Sequence, residues 1–291
     1  MEIVTDSGTD VWLSAQEAAE LHIHTVSLVV TLDGQSYREG IDIQPGGFYQ
    51  RLAETESLPM TSQPSAGEFA TLYEQLAAGD DEILSIHMSS GLSGTLNAAK
   101  AGAALAPEAH VTHVDTKTLS VAAGWQVEAA ARAGQAGWPV DRILELLARI
   151  RDATETLYTL QELKYLIHGG RISHMKGLIA SMLHIKPLIG VEKENGTYTQ
   201  IGQMRTFKRA IAGIVDRMAE QHAPGSALRV QVAHAYNPSG ADQLRASVDE
   251  RFDCTWLPVG PISPVLGAHT GPTMIGVAYA PAGVFEDVPG L

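Results

Sequence analysis

Short apolar runs alternate with polar turns and amphipathic stretches along the chain. The run 82–88 (EILSIHM) has the length of a strand, and the residues from Leu96 to Lys100 are good helix formers. Between them lies a glycine-bearing turn, Ser89-Ser90-Gly91-Leu92-Ser93-Gly94-Thr95. The same order recurs at 2–20, where Ile3 and Val4 lead through Thr5-Asp6-Ser7-Gly8 to a helix from Ser14 to Glu20. It recurs again at 109–134, where Ala122, Ala123, Gly124, Ala129 and Ala130 let the helix pack closely on its neighbours. Three strand–helix units predict a mainly parallel, doubly wound sheet.

The remaining pattern fills in around this sheet. Residues 22–32 read as one long strand closed by an Asp33-Gly34 hairpin turn. Residues 45–54 read as a helix. Pro59 and Pro64 keep Thr61 and Ser62 in an extended, non-helical loop until Ser65 and Glu68 open the next helix as a capping box. A helix starts at Pro139, and the composition changes near Arg151. A strand at 156–159 and a helix at 161–168 follow, the latter stopped by Gly169-Gly170. An apolar helix at 178–185 ends before Pro187, and 188–201 reads as a hairpin about Asn195-Gly196. A helix at 206–220, a strand–helix–strand unit at 228–258, the polar stretch Gly267–Thr273 and a closing strand at 274–279 complete the chain. The expected fold is α/β in two lobes, 1–155 and 156–291. The C-terminal lobe is the smaller, the last strand is free to return to the interface, and a ligand cleft lies between them.

Composition narrows the function. The chain has 291 residues, 45% of them hydrophobic, and a formal charge of −13. That charge argues against a nucleic-acid or anionic-membrane binder. A single cysteine, Cys254, fits a reducing cytoplasm, and the N-terminus lacks the basic and apolar regions of a signal peptide. No apolar stretch has the length of a membrane span. His22 and His24 make a weak metal pair with no further ligand nearby.

The turn after the strand at 82–88 is where an open α/β sheet binds ligands, and the first amides of the next helix suit an anion. There is no Walker loop and no G-x-G-x-x-G, so no nucleotide site is expected. Gly91-Leu92-Ser93-Gly94 resembles a nucleophile elbow with its second glycine one residue early. A stand-alone esterase or acyltransferase built on Ser93, with His87 or His269 as base and Asp115 as orienter, is therefore the competing enzymatic reading. A lipid-responsive regulatory protein is another.

Six motifs occur in one order: Thr5-Asp6-Ser7, Thr61-Ser62-Gln63-Pro64-Ser65, the 89–95 turn, Gly169-Gly170-Arg171-Ile172-Ser173, Ile185-Lys186-Pro187 and His269-Thr270-Gly271-Pro272. Together they resemble the DegV family of bacterial fatty-acid-binding proteins over essentially the whole chain. The resemblance implies one long-chain fatty acid held between two α/β domains, with no other cofactor. It also implies a non-catalytic, acyl-carrying subunit that presents the carboxylate to a separate ATP-binding fatty acid kinase subunit. Carried over by position, Thr61, Ser93 and His269 bind the carboxylate, with Ser62 and the amides around Gly94 in support. Such a set satisfies both oxygens without a strong cation. Leu92, Leu178, Ile179, Met182, Leu183, Ile185 and Met274 line the acyl tunnel, and Arg171 and Arg205 face the partner. Thr273 departs from the family's usual glycine, which bears on backbone geometry near His269 and on tunnel width.

Overall fold

A computed structural model describes residues 1–79, 82–172, 175 and 185–291. Among these residues the first part of the chain forms β1 (Glu2–Asp6), α1 (Ala15–Glu20), β2 (Ile23–Val26), β3 (Val29–Leu32), β4 (Gln35–Arg38) and α2 (Pro45–Glu54). It continues through β5 (Met60–Ser62), α3 (Ala66–Ala77), β6 (Ile83–His87), α4 (Thr95–Leu105), β7 (Val111–Asp115), α5 (Ser120–Gln135) and α6 (Val140–Ala153). The rest comprises β8 (Glu155–Thr159), α7 (Lys164–His168), β9 (Lys186–Val191), β10 (Tyr198–Met204), α8 (Phe207–Gln221) and β11 (Ala227–His234). It ends with α9 (Pro238–Asp249), β12 (Asp253–Trp256), β13 (Gly260–Pro261), α10 (Pro264–Thr270) and β14 (Ile275–Pro281).

The expected α/β class is present. A parallel sheet, ordered β2-β1-β6-β7, forms in the N-terminal part. The C-terminal α/β region carries a mixed sheet ordered β10-β9-β8-β14-β11-β12, with β13 beside β11. The Asn195-Gly196 hairpin joins β9 to β10, and Ser65 with Glu68 forms the capping box of α3. No helix among the described residues is long and apolar enough to cross a membrane.

Two expectations are corrected. The strand read over 22–32 is two strands in two sheets. β2 extends the parallel sheet, while β3 belongs to a small antiparallel sheet ordered β4-β3-β5. The break falls at Ser27 and Leu28, where the Ser27 hydroxyl donates to the Glu39 carbonyl and the Leu28 N–H to Ser7 Oγ. These long-range bonds take the backbone out of the first sheet, and an apolar run gives no sign of them. Thr61 and Ser62 are not in a loop but on β5, paired with Val30 and Val29. The polar stretch at 267–273 contains the end of α10. Leu178, Ile179, Met182 and Leu183, with the helix expected around them, lie outside the described residues. Ile185 is half-buried just before β9.

One continuous core runs from Ile3, Leu84 and Ile86 of the parallel sheet to Tyr158, Ile189 and Ala278 of the mixed sheet. The small-residue helix α5 contributes to that core, with Trp125 Nε1 donating to Gln231 Oε1 at 2.6 Å. At Gly124 a Cβ would stand 2.8 Å from the Thr9 carbonyl, so the missing side chain lets the turn after β1 close on α5. The hairpin at Asn195-Gly196 reaches back to the 89–95 turn. Ser89 Oγ donates to the Gly196 carbonyl at 2.8 Å, and a Cβ on Gly91 would lie 2.3 Å from the Asn195 carbonyl oxygen. Backbone on backbone has no slack, so Gly91→Ala should destabilise the protein by about 1–3 kcal/mol. Urea unfolding checks this; a midpoint within error of the parent would contradict it.

Candidate functional site

Residues from four distant segments converge on one cavity of about 290 Å³. Thr61 and Ser62 come from β5, Leu92 and Ser93 from the turn before α4, Arg171 from the segment after α7 and His269 from α10. Thr61 Oγ1 and His269 Nε2 stand 2.8 Å apart across 208 residues of sequence. Ser93 Oγ lies 2.8 Å from Thr95 Oγ1 and accepts the Thr95 N–H at 3.3 Å, which places it over the start of α4. Gly94 precedes α4 with φ −79° and is not among the residues lining the cavity. Its need for glycine is steric: a Cβ would sit 2.1 Å from Oε1 of Gln63, itself a wall residue.

His269 occupies the last turn of α10, where the helix dipole favours a cation. Burial opposes this and prevails, lowering its pKa to about 3, with Arg171 and His168 adding repulsion. The ring is therefore neutral at physiological pH, with one N–H donor and one acceptor nitrogen. Its Nδ1 has no hydrogen-bond partner among the described residues, and a Cβ on Gly169 would stand 1.9 Å from that atom. Gly169 is thus more than a helix stop; the bare backbone makes room for the imidazole.

Arg171 donates from Nη1 to the Gly169 carbonyl at 2.7 Å and from Nε to the Leu92 carbonyl at 3.3 Å. The family resemblance implies a partner-facing opening for this residue and a carboxylate cradle without a strong cation. The structure places Arg171 in the cavity wall, so the cradle contains a cation. Arg205 is exposed between β10 and α8 and is not among the wall residues.

A second, smaller chamber of about 40 Å³ is almost wholly apolar and is lined by Val121, Met274 and Ala278 among others. It shares Leu119, Tyr198 and Leu266 with the polar cavity. Of the residues assigned to an acyl tunnel, Met274 lines this chamber and Leu92 lines the polar cavity, while Ile185 lines neither. Thr273 Oγ1 accepts the Gln161 N–H at 3.0 Å.

The hydrolase constellation is not assembled. His87 is fully buried, with Nδ1 2.9 Å from Asp6 Oδ2 and Nε2 2.7 Å from Ser85 Oγ. Asp115 accepts from Ser90 and pairs with Lys117. His269 meets Thr61 rather than Ser93. His22 and His24 both lean on Glu2, and no group of three or more metal-ligating side chains occurs among the described residues.

Two buried carboxylates that the motifs did not mark secure the beginning of α10. Asp10 Oδ1 accepts the Ser263 N–H at 2.9 Å, and Glu39 Oε1 accepts the Val265 N–H. Asp10 Oδ2 also accepts from Ser120, and Glu39 Oε2 from Ser7. Burial raises Asp10 to about 7 and Glu39 to about 8.

A family model described as "Uncharacterised protein, DegV family" matches residues 1–282. A DegV domain-containing protein of Staphylococcus aureus is 34% identical over 275 residues, covering 94% of this chain and 96% of its own. One from Listeria innocua is 31% identical over 279 residues, covering 96% and 97%. Among solved structures, a DegV family protein from Thermus thermophilus described by its fatty acid binding superposes with a TM-score of 0.85 at 28% identity, covering 96% of this chain and 99% of its own. DegV of Bacillus subtilis, described as a fatty acid binding protein, gives 0.84 at 28% identity, covering 96% and 98%.

Thr61→Val leaves the buried His269 ring without its hydroxyl partner and should cost about 1–3 kcal/mol in urea unfolding. A second expectation concerns pH. Asp10 and Glu39 face each other, Asp6 on β1 and Tyr49 on α2, and both hold their protons more tightly folded than unfolded. Their contribution to stability is complete below the unfolded carboxylate range and is lost as pH rises through about 7 to 8. Combining Asp10→Asn with Glu39→Gln should at least halve the fall in melting temperature between pH 5.5 and 8.5. An unchanged fall would refute the assignment.

Proposed function

The chain belongs to the DegV family, and on that premise we propose that it binds a long-chain fatty acid with the carboxylate in the Thr61–Ser93–His269 cavity. One observation carries the reading. A hydroxyl and a neutral imidazole from opposite ends of the chain meet at 2.8 Å in a wall shared with Ser62, Ser93 and Arg171, beside an apolar chamber. Hydroxyl and imidazole donors suit carboxylate oxygens. Arg171, held by two backbone carbonyls, adds the positive charge that an acid head group needs in a partly buried setting.

The acyl chain then passes Leu119, Tyr198 and Leu266 towards the chamber containing Met274, which at about 40 Å³ must widen to take more than a short stretch of it, and supplies most of the affinity. Each buried methylene contributes about 0.8 kcal/mol, so a chain of roughly fourteen supplies about 11 kcal/mol before the costs of binding. We divide the chain functionally at 155/156, with the head-group loops in the first part and α10 returning from the second. The protein works in the cytoplasm as a carrier, without catalysis of its own. It offers the carboxylate to a separate ATP-dependent kinase subunit, with Arg205 on the exposed side for that partner.

Gently purified protein analysed by mass spectrometry should release a long-chain fatty acid, and stripped protein should take one up. A chain that neither carries nor acquires an acid would overturn the reading. Ser93→Ala and His269→Ala should each weaken palmitate binding by about 10- to 100-fold, or about 1.4–2.7 kcal/mol, in calorimetric titration. Neither the parent nor Ser93→Ala should turn over an activated ester; turnover abolished by Ser93→Ala would favour the esterase instead.

A further inference from the structure

α10 is a short helix whose first backbone donors point into the N-terminal part of the molecule. Ser263, at its N-cap, makes no capping bond with its own side chain, which lies beside the Asp10 carboxyl instead. Pro264 has no N–H to offer. The donors of Ser263 and Val265 are instead taken by Asp10 and Glu39, which are 8% and 2% exposed. Both acids stand on constrained backbone or are tied in turn. Asp10 is left-handed (φ 45°) and bonds Ser120, also left-handed (φ 53°). The Glu39 carboxylate receives Ser7, and its main-chain oxygen receives Ser27. Tyr49 adds a third tie, donating to the Ile262 carbonyl at 3.1 Å.

At the opposite end of the same helix stands His269. Its ring is set by the direction of α10, by the space over Gly169 and by Thr61. We propose that Asp10 and Glu39 are positioning residues for the carboxylate site: by holding the first turn of α10, they fix where His269 stands at its last. The inference rests on the fatty-acid reading only for what the site binds; the placement of the ring is independent of it. An ionised pair is not required. Burial favours the protonated carboxyls near neutral pH, so an amide of the same shape can keep the oxygen that accepts the α10 N–H while its NH2 donates to the serine oxygen on the other side.

The test compares Glu39→Met, which removes the acceptor, with Glu39→Gln, which keeps it. Both are examined in delipidated full-length protein. The first readout is the imidazole nitrogen signals of His269 by NMR. The second is the affinity for palmitate against hexadecanol, which has the same chain and no carboxylate. Glu39→Met should move the His269 signals and weaken palmitate at least tenfold, with hexadecanol within threefold of the parent. Glu39→Gln should leave all three readouts near the parent. Unmoved ring signals in Glu39→Met, or equal loss of both ligands, would overturn the proposal. If Glu39→Met does not fold, Asp10→Ala against Asp10→Asn is read by the same criteria. If the parent takes up neither ligand, the fatty-acid reading fails by itself, and the ring signals alone still decide the positioning role.

Discussion

A seven-residue helix cannot satisfy its own ends, and in this protein that constraint joins the two parts of the chain. The first N–H groups of any α-helix lack partners within it. For α10 those groups are buried, so each must be met from elsewhere or cost about 1–3 kcal/mol. Asp10 and Glu39 meet two of them, and Thr61 meets the imidazole at the far end. The same contacts that keep buried polar atoms paired therefore bring the C-terminal histidine to the N-terminal hydroxyls. The candidate site is a consequence of closing this interface, not an addition to it.

The electrostatics of the cleft follow from burial. Desolvation favours the neutral forms of His269, Asp10 and Glu39 alike, so the α10 helix is flanked by groups that bond without carrying full charge. Arg171 contrasts with them in the wall: its guanidinium rests on two carbonyl oxygens. Among the described residues, a head group entering this cavity meets a cation at Arg171, several hydroxyls and a neutral ring. That arrangement orients an acid without demanding a fully desolvated ion pair, whose desolvation cost can exceed its attraction.

Local chemistry made much of the architecture legible. Asp33-Gly34 and Asn195-Gly196 announced hairpins, Ser65 with Glu68 announced a helix start, and the strand–turn–helix rhythm announced the parallel sheet. The convergence of Thr61, Ser93 and His269 came from motif order, since no periodicity links residues on segments so far apart, Thr61 and His269 being 208 positions from each other. What escaped was set by contacts distant in sequence. Ser7 and Glu39 split the run 22–32 into two sheets, although its residues read as one strand. Asp10 and Glu39 belong to none of the six sequence motifs. The only local sign was Ser263-Pro264, a helix start whose serine has no acidic partner three residues on.

The glycines show how steric demands, rather than backbone freedom, tie these levels together. Gly91, Gly94 and Gly169 are not among the left-handed glycines, yet added side chains there would strike Asn195, Gln63 and His269. Each marks a place where another segment comes within a bond length or two of where a Cβ would stand. Each of those segments either shapes the cavity or holds the turn that does. Thr273 makes the complementary case. Its side chain is accommodated by a bond to the backbone ahead of α7, where its hydroxyl accepts the Gln161 N–H. A position tolerates a side chain when its Cβ points out of the interface, and refuses one when the interface is only a backbone's width across.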